Sequence, residues 1–159
     1  MKIPKEKGYY ILLIKVNRDV NTRIGSLGLI KFRRGFYTYI GSAHGPGGLR
    51  ARINRHLKKI KKPHWHIDYL LMNEDVFIVA IWCLITKESS QDLESLISRD
   101  LNAHFYFIKG FGCTDKPSDL SHIHYCGLES YVCISVLNRI LRKYHLTPHI
   151  FYTSDLNTR

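Results

Sequence analysis

Residues 35–56, GFYTYIGSAHGPGGLRARINRH, call for a strand, a glycine-rich break and a basic helix in that order. Phe36, Tyr37, Thr38, Tyr39 and Ile40 are aromatic or β-branched, which suits a pleated, half-buried surface. Gly45, Pro46, Gly47 and Gly48 interrupt it. Leu49, Ile53 and Leu57 then recur every four residues and mark one face of a helix. The break lacks the Gly-Lys-Ser/Thr ending of a P-loop, so it reads as a spacer that lets strand and helix converge.

The flanking elements follow from the same periodicities. Gly8 to Val16 is a first strand, with Tyr10, Leu12, Ile14 and Val16 on one face and Tyr9, Ile11 and Leu13 on the other. Residues 17–27 form a polar connection, and a second strand runs from Leu29 to Ile40, open to interruption near Arg33-Arg34-Gly35. The helix after Gly48 runs to about Ile60, stopped by Lys61, Lys62 and Pro63. His64 to Leu71 fits a short helix or a strand equally well. Val76 to Ile85 reads as a strand buried on both faces. A helix opens at Ser89, with Ser89 and Asp92 resembling a capping box, and ends near Asn102. Short strands are expected around 105–108 and 123–126 and at an edge over 150–153, with a helix over 128–144.

At 159 residues the chain can bury a core without metal or disulfide staples. The net charge of +11 favours a polyanionic partner, since Lys and Arg displace counterions condensed on nucleic acid. The bland alternative is a solvated basic surface. No apolar run is long enough to span a bilayer, and the start of the chain lacks the apolar core of a signal peptide. A cytoplasmic protein without a membrane partner is expected. Cys83, Cys113, Cys126 and Cys133 are then expected to be free thiols. Cys113, His122, His124 and Cys126 are of the right type for zinc, but their spacing matches no finger. His64 and His66 read as structural histidines before metal ligands.

The chemistry-bearing residues form an ordered set. Gly8-Tyr9-Tyr10 lies on the first strand, Tyr39-Ile40-Gly41 on the second, and Leu49-x-x-Arg52-Ile53-x-x-His56 on the helix. This set resembles the GIY-YIG nuclease superfamily. With Gly45-Pro46-Gly47-Gly48, His64-Trp65-His66-Ile67-Asp68-Tyr69, Gly110-Phe111-Gly112, Asp115 and His122, it is similar to the Uri-type branch of small, largely archaeal proteins. The likeness spans about residues 8–125. It implies an α/β (α+β) fold with a small three-stranded antiparallel sheet flanked by helices. The nuclease core would span 8–104, and an extension over 105–153 with a long helix would pack on it in one domain. It also implies metal-dependent phosphodiester hydrolysis at one Mg²⁺ or Mn²⁺ ion. Glu94 matches the superfamily's lone glutamate as metal ligand, Tyr10 its base or water-orienting group, Tyr39 an orienting partner, and His56 a proton-moving or Tyr10-holding group. The late asparagine of many members has no secure counterpart: Asn102 is close to Glu94, and Asp115 is a weak substitute. The late loop also departs from the branch in its cysteines.

Elementary chemistry agrees with these assignments. Arg52 offers a planar fork of donors that stays charged. Arg52 and His56, four residues apart, point the same way from a helix. A free tyrosine titrates near a pH of about 10, so Tyr10 needs a neighbouring cation or metal to act as a base. Asp92 competes with Glu94 for the metal but stands where an acid is expected for helix-dipole reasons. Arg33, Arg34, Arg50, Arg55, Lys58, Lys59, Lys61 and Lys62 flank this set and suit phosphate tracking, or else form a solvated face. The expected function is a DNA endonuclease in repair, recombination or defence. Its rivals are an inactive nucleic-acid-binding module and a basic subunit of a complex, used through its C-terminal helix face.

Overall fold

Strand β1 (Gly8–Val16) is the centre of the molecule, antiparallel to β4 (Gly35–Ala43) on one side and β5 (Val76–Ile85) on the other. A computed structural model describes residues 2–87 and 91–156. The remaining strands are β2 (Val20–Arg23), β3 (Leu29–Phe32), β6 (Tyr106–Phe107), β7 (Ile123–Gly127) and β8 (His149–Tyr152). The helices are α1 (Gly48–Leu57), α2 (His66–Leu71), α3 (Leu93–His104), α4 (Ser130–Lys143) and α5 (Thr153–Leu156).

The fold is α+β, but the sheet is wider than expected. Among the described residues it has six strands in the order β6-β7-β4-β1-β5-β8. The expected three-stranded sheet is only its middle. The segment after residue 104 does more than pack on a finished core: β7 adds to β4, and β8 adds to β5. Covering both edges this way removes the unpaired N–H and C=O groups that a three-stranded sheet would expose. The polar connection 17–27 also hides a strand, since β2 pairs with β3 in a separate hairpin. Arg33 and Arg34 separate β3 from β4, where the interruption was expected.

Both faces of the sheet are covered. Tyr10, Leu12, Ile14, Tyr37 and Tyr39 pack against Leu49 and Ile53 of α1 and Ile67, Leu70 and Leu71 of α2. On the other face Ile11, Leu13, Ile40 and Trp82 meet Leu93, Ile97 and Leu101 of α3 and Leu137, Ile140 and Leu141 of α4. Burying each such aliphatic side chain stabilises the fold by about 1.5–3 kcal/mol.

Local chemistry sets the helix limits. Gly47, with a φ of 80°, supplies the left-handed residue before α1. That helix stops at Leu57, before Ile60, because the Lys61 ammonium turns back onto the carbonyls of Arg55 and His56, at 3.1 and 3.2 Å. In the ambiguous stretch 64–71 a helix runs from His66 to Leu71, opened by Asp68 accepting the backbone N–H groups of His64 and Trp65, at 2.9 and 3.1 Å. Helix α3 is capped by Asp92, whose carboxylate accepts the N–H of Ser95. The expected cap at Ser89 lies outside the described residues.

The thiol expectation is corrected at two positions. Cys126 of β7 and Cys133 of α4 form a disulfide, while Cys83 and Cys113 are free and buried. Seven residues and a turn bring the two Cα atoms to 5.4 Å, within ordinary disulfide range. No helix among the described residues is long and apolar enough to cross a membrane.

Candidate active site

The register of the sheet builds the site. Tyr10 lies directly across from Gly41, and Leu12 across from Tyr39, so the two tyrosines occupy the same face, two residues apart along neighbouring strands. A side chain at Gly41 would collide with the Tyr10 hydroxyl, so only glycine leaves that hydroxyl its place. Helix α1 lies over this face and brings His56 inward. The Tyr10 hydroxyl stands 2.7 Å from His56 Nε2, and the Tyr39 ring completes the group with its centroid 6.4 Å from both other rings.

These groups are buried, and burial fixes their protonation. It pushes the Tyr10 hydroxyl well above its ordinary range; Arg52 opposes this, and Glu94 and Asp68 reinforce it. Tyr39 is raised by burial too, with Tyr10 and Glu94 adding to the effect and Arg52 opposing. Burial takes His56 down to about 3, helped by Lys61 and opposed by Asp68. The pair is therefore a neutral phenol against a neutral imidazole.

Arg52 lies over the ring of Trp65, 3.9 Å from its centroid, a stacking that fixes the plane of the guanidinium. Trp65 and Tyr39 line a cleft of about 280 Å³ with His64, His66, Gly112 and Asp115. Of the tyrosine group, Tyr39 lines this cleft, while Tyr10 and His56 lie buried behind it. The Nδ1 atom of His66 accepts the Gly112 N–H at 3.0 Å, a structural role, and Asp115 stands exposed at the rim.

Glu94 is buried in the first turn of α3. Its carboxylate lies 2.7 Å from the Lys116 ammonium, which also lies 2.7 Å from Asp92. Burial works against that ammonium, but its bonds to Asp92 and Glu94 outweigh the penalty and raise its pKa. Two carboxylates thus converge on one cation. As oxygen donors they suit a hard divalent ion completed by waters and a phosphate. Behind them, Asp119 accepts from Ser95 Oγ at 2.7 Å and from His122 Nε2 at 2.8 Å. His122 Nδ1 lies 4.0 Å from Glu94. Among the described residues, no three His, Cys, Asp or Glu side chains cluster as a metal site. The zinc set is also broken up: Cys126 is in the disulfide, Cys113 bonds the Asp119 carbonyl, and His124 bonds Asn102. The last contact turns Asn102 toward β7.

The basic run divides in two. Arg33, Arg34, Lys58 and Lys62 are exposed. The other four have internal partners. Arg50 bonds the Ile3 carbonyl, Lys59 the carbonyls of Leu71, Asn73 and Val76, and Lys61 the end of α1. Arg55 bonds the carboxylate of Asp68 at 2.7 Å. Trp65 and Asp68 stand in the sequence motif without an assigned role, and Lys116 and Asp119 carry none there. Asp68 carried a signal, as an acid at the third position of a helix, once 66–71 is taken as helical. Lys116 and Asp119 sit in a loop without periodicity and carried none.

A family model described as "Domain of unknown function DUF123" matches residues 9–144, which include every residue of this site. No curated protein and no solved structure matches the chain.

Proposed function

The chain belongs to the DUF123 family of unknown function, and we propose that it is a divalent-metal-dependent endonuclease that hydrolyses DNA phosphodiester bonds. One observation carries the reading: an acid–base pair, Tyr10 and His56, has a fixed guanidinium, Arg52, and the carboxylate of Glu94 within electrostatic reach, Asp92 joins Glu94 through Lys116, and Tyr39 and Trp65 beside them line a cleft. The likeness of the tyrosine strands and the Arg52–His56 helix to the GIY-YIG superfamily supports the same reaction. So does the net charge of +11, with Lys58 and Lys62 exposed just after the site helix. Repair, recombination or defence are the settings that such an activity suits, and a cytoplasmic location belongs to the same proposal.

In this reading the scissile phosphate enters by the cleft. Arg52, held flat by Trp65, donates to the phosphoryl oxygens, where charge grows in the transition state. Tyr10 orients the attacking water, and His56 takes up the Tyr10 proton as the water is deprotonated. Tyr39 packs beside Tyr10 and limits its rotation. Glu94 and Asp92 would hold Mg²⁺ or Mn²⁺ once Lys116 releases them. Such an ion supplies a lowered water pKa and neutralises charge on the phosphate.

A second reading, a module that binds nucleic acid without cutting it, is favoured by the protonated tyrosines and the Lys116–Glu94 ion pair. A cleavage panel of linear, flapped, branched and damaged DNA, with RNA controls, separates the two when run with Mg²⁺, Mn²⁺ and chelator. Ion-dependent nicking supports the nuclease; salt-sensitive binding without cutting on any substrate supports the module.

A further inference from the structure

The mechanism leaves the buried carboxylate of Asp68 unused. Asp68 has no exposed surface, and it lies behind His56 on the side away from Tyr10. Its Oδ2 atom is satisfied by Arg55 and by the N–H groups of His64 and Trp65. Its Oδ1 atom has no hydrogen-bond partner, and neither does His56 Nδ1, which faces it at 3.8 Å. Oδ1 is ion-paired with the Lys61 ammonium at 3.5 Å. His56 Nδ1 is the atom left without a partner; an unpaired buried donor or acceptor costs about 1–3 kcal/mol, so Nδ1 facing a carboxylate oxygen marks an unfinished contact.

We propose that Tyr10, His56 and Asp68 form a proton relay in which Asp68 is the positioning residue that fixes the His56 tautomer. A neutral imidazole has one N–H and one lone pair. A lone pair on Nδ1 would face a carboxylate oxygen, which is repulsive. A hydrogen on Nδ1 faces it favourably and needs a closure of about 1 Å to reach hydrogen-bond distance. Nε2 is then the acceptor, and the Tyr10 hydroxyl donates to it. In the reaction the water proton moves to Tyr10 Oη while the Tyr10 proton moves to Nε2. The resulting imidazolium lies against Asp68, with Arg52, Arg55 and Lys61 the opposing charges around it. The water oxygen bonds to phosphorus as the P–O bond to the leaving oxygen breaks. That oxygen takes a proton from solvent, and the imidazolium returns one.

Only the catalytic consequence rests on the nuclease reading; the tautomer does not. The test is a long-range ¹H–¹⁵N spectrum of the uniformly labelled full chain, with cleavage kinetics on the same samples. The wild type is expected to show His56 protonated at Nδ1 and bare at Nε2. Asp68→Asn keeps an oxygen for the helix cap but loses the charge. It is expected to shift the tautomer toward Nε2–H and to lower kcat roughly 10²- to 10⁴-fold, with KM within about threefold. Nε2–H in the wild type overturns the relay and needs no variant to fold. An unchanged tautomer and kcat in Asp68→Asn also overturn it. Nδ1–H in a wild type that cuts no substrate sinks the nuclease reading and leaves the hydrogen-bonded triad supported.

Discussion

Tyr10 and His56, 46 positions apart in the chain, meet at 2.7 Å inside the core. The Tyr10 hydroxyl and His56 Nε2 are each other's hydrogen-bond partner, so losing one leaves the other unsatisfied. Tyr10→Phe is therefore expected to cost about 1–3 kcal/mol in urea unfolding by orphaning Nε2. Tyr10→Phe with His56→Phe should cost less than the sum of the two single changes, because the pair is removed as a unit. Additive costs would mean that the contact does not hold the fold.

Gly41 is the strand residue opposite Tyr10, and a methyl group there would occupy the hydroxyl's position. Gly41→Ala is expected to displace Tyr10 and to cost about 1–3 kcal/mol by overpacking. Its cleavage defect should match that of Tyr10→Phe. Wild-type cleavage in Gly41→Ala would show that the hydroxyl position is not needed.

Stability should depend on pH through the buried histidines. Burial lowers His56 and His124 to about 3, from 6.5. Between those values the unfolded chain binds protons that the folded chain does not, so stability rises with pH and is lost as pH falls below about 6.5. Each histidine adds a slope of about 1.4 kcal/mol per pH unit in that window. The lowered carboxyls of Asp68, Asp92 and Asp100 steepen the loss only further down, as pH falls through their own range. Denaturant midpoints at pH 7.0, 6.0 and 5.0 should fall in order, and His56→Gln should remove one histidine's share of the slope. A flat profile would contradict the neutral His56.

Lys116 holds the two carboxylates that would take a divalent ion. Lys116→Met is expected to strengthen Mn²⁺ binding roughly tenfold in calorimetry, equivalent to about 1.4 kcal/mol. Glu94→Gln should abolish the gain. Equal Mn²⁺ affinity in wild type and Lys116→Met would argue that this pair of carboxylates is not a metal seat.

The middle of the fold was legible in the sequence because β1, β4 and β5 are long and apolar, and α1 repeats with a clear helical period. Sheet width was not legible. β6, β7 and β8 have two, five and four residues, and runs that short show no periodicity that names a partner. Lys59 and Lys61 read as part of a phosphate-tracking run or a solvated face, yet they fold inward because the end of α1 and the turn before β5 present carbonyls that need donors. Tyr10, Tyr39, Arg52 and His56 could be picked out by type and spacing. Asp68 showed only as an acid early in a short helix; its place behind His56 depends on how α2 packs. The disulfide joins residues of two elements whose packing no local pattern encodes.

The central claim is hydrolysis by this site, and it turns on Arg52 and Glu94. Wild type, Arg52→Ala and Glu94→Gln should be compared on the best-cut DNA, with cleavage and binding measured side by side in Mg²⁺ or Mn²⁺. The account predicts a fall in cleavage of roughly 10²-fold or more in both variants, with DNA binding retained. Cleavage equal to wild type in either variant would contradict it.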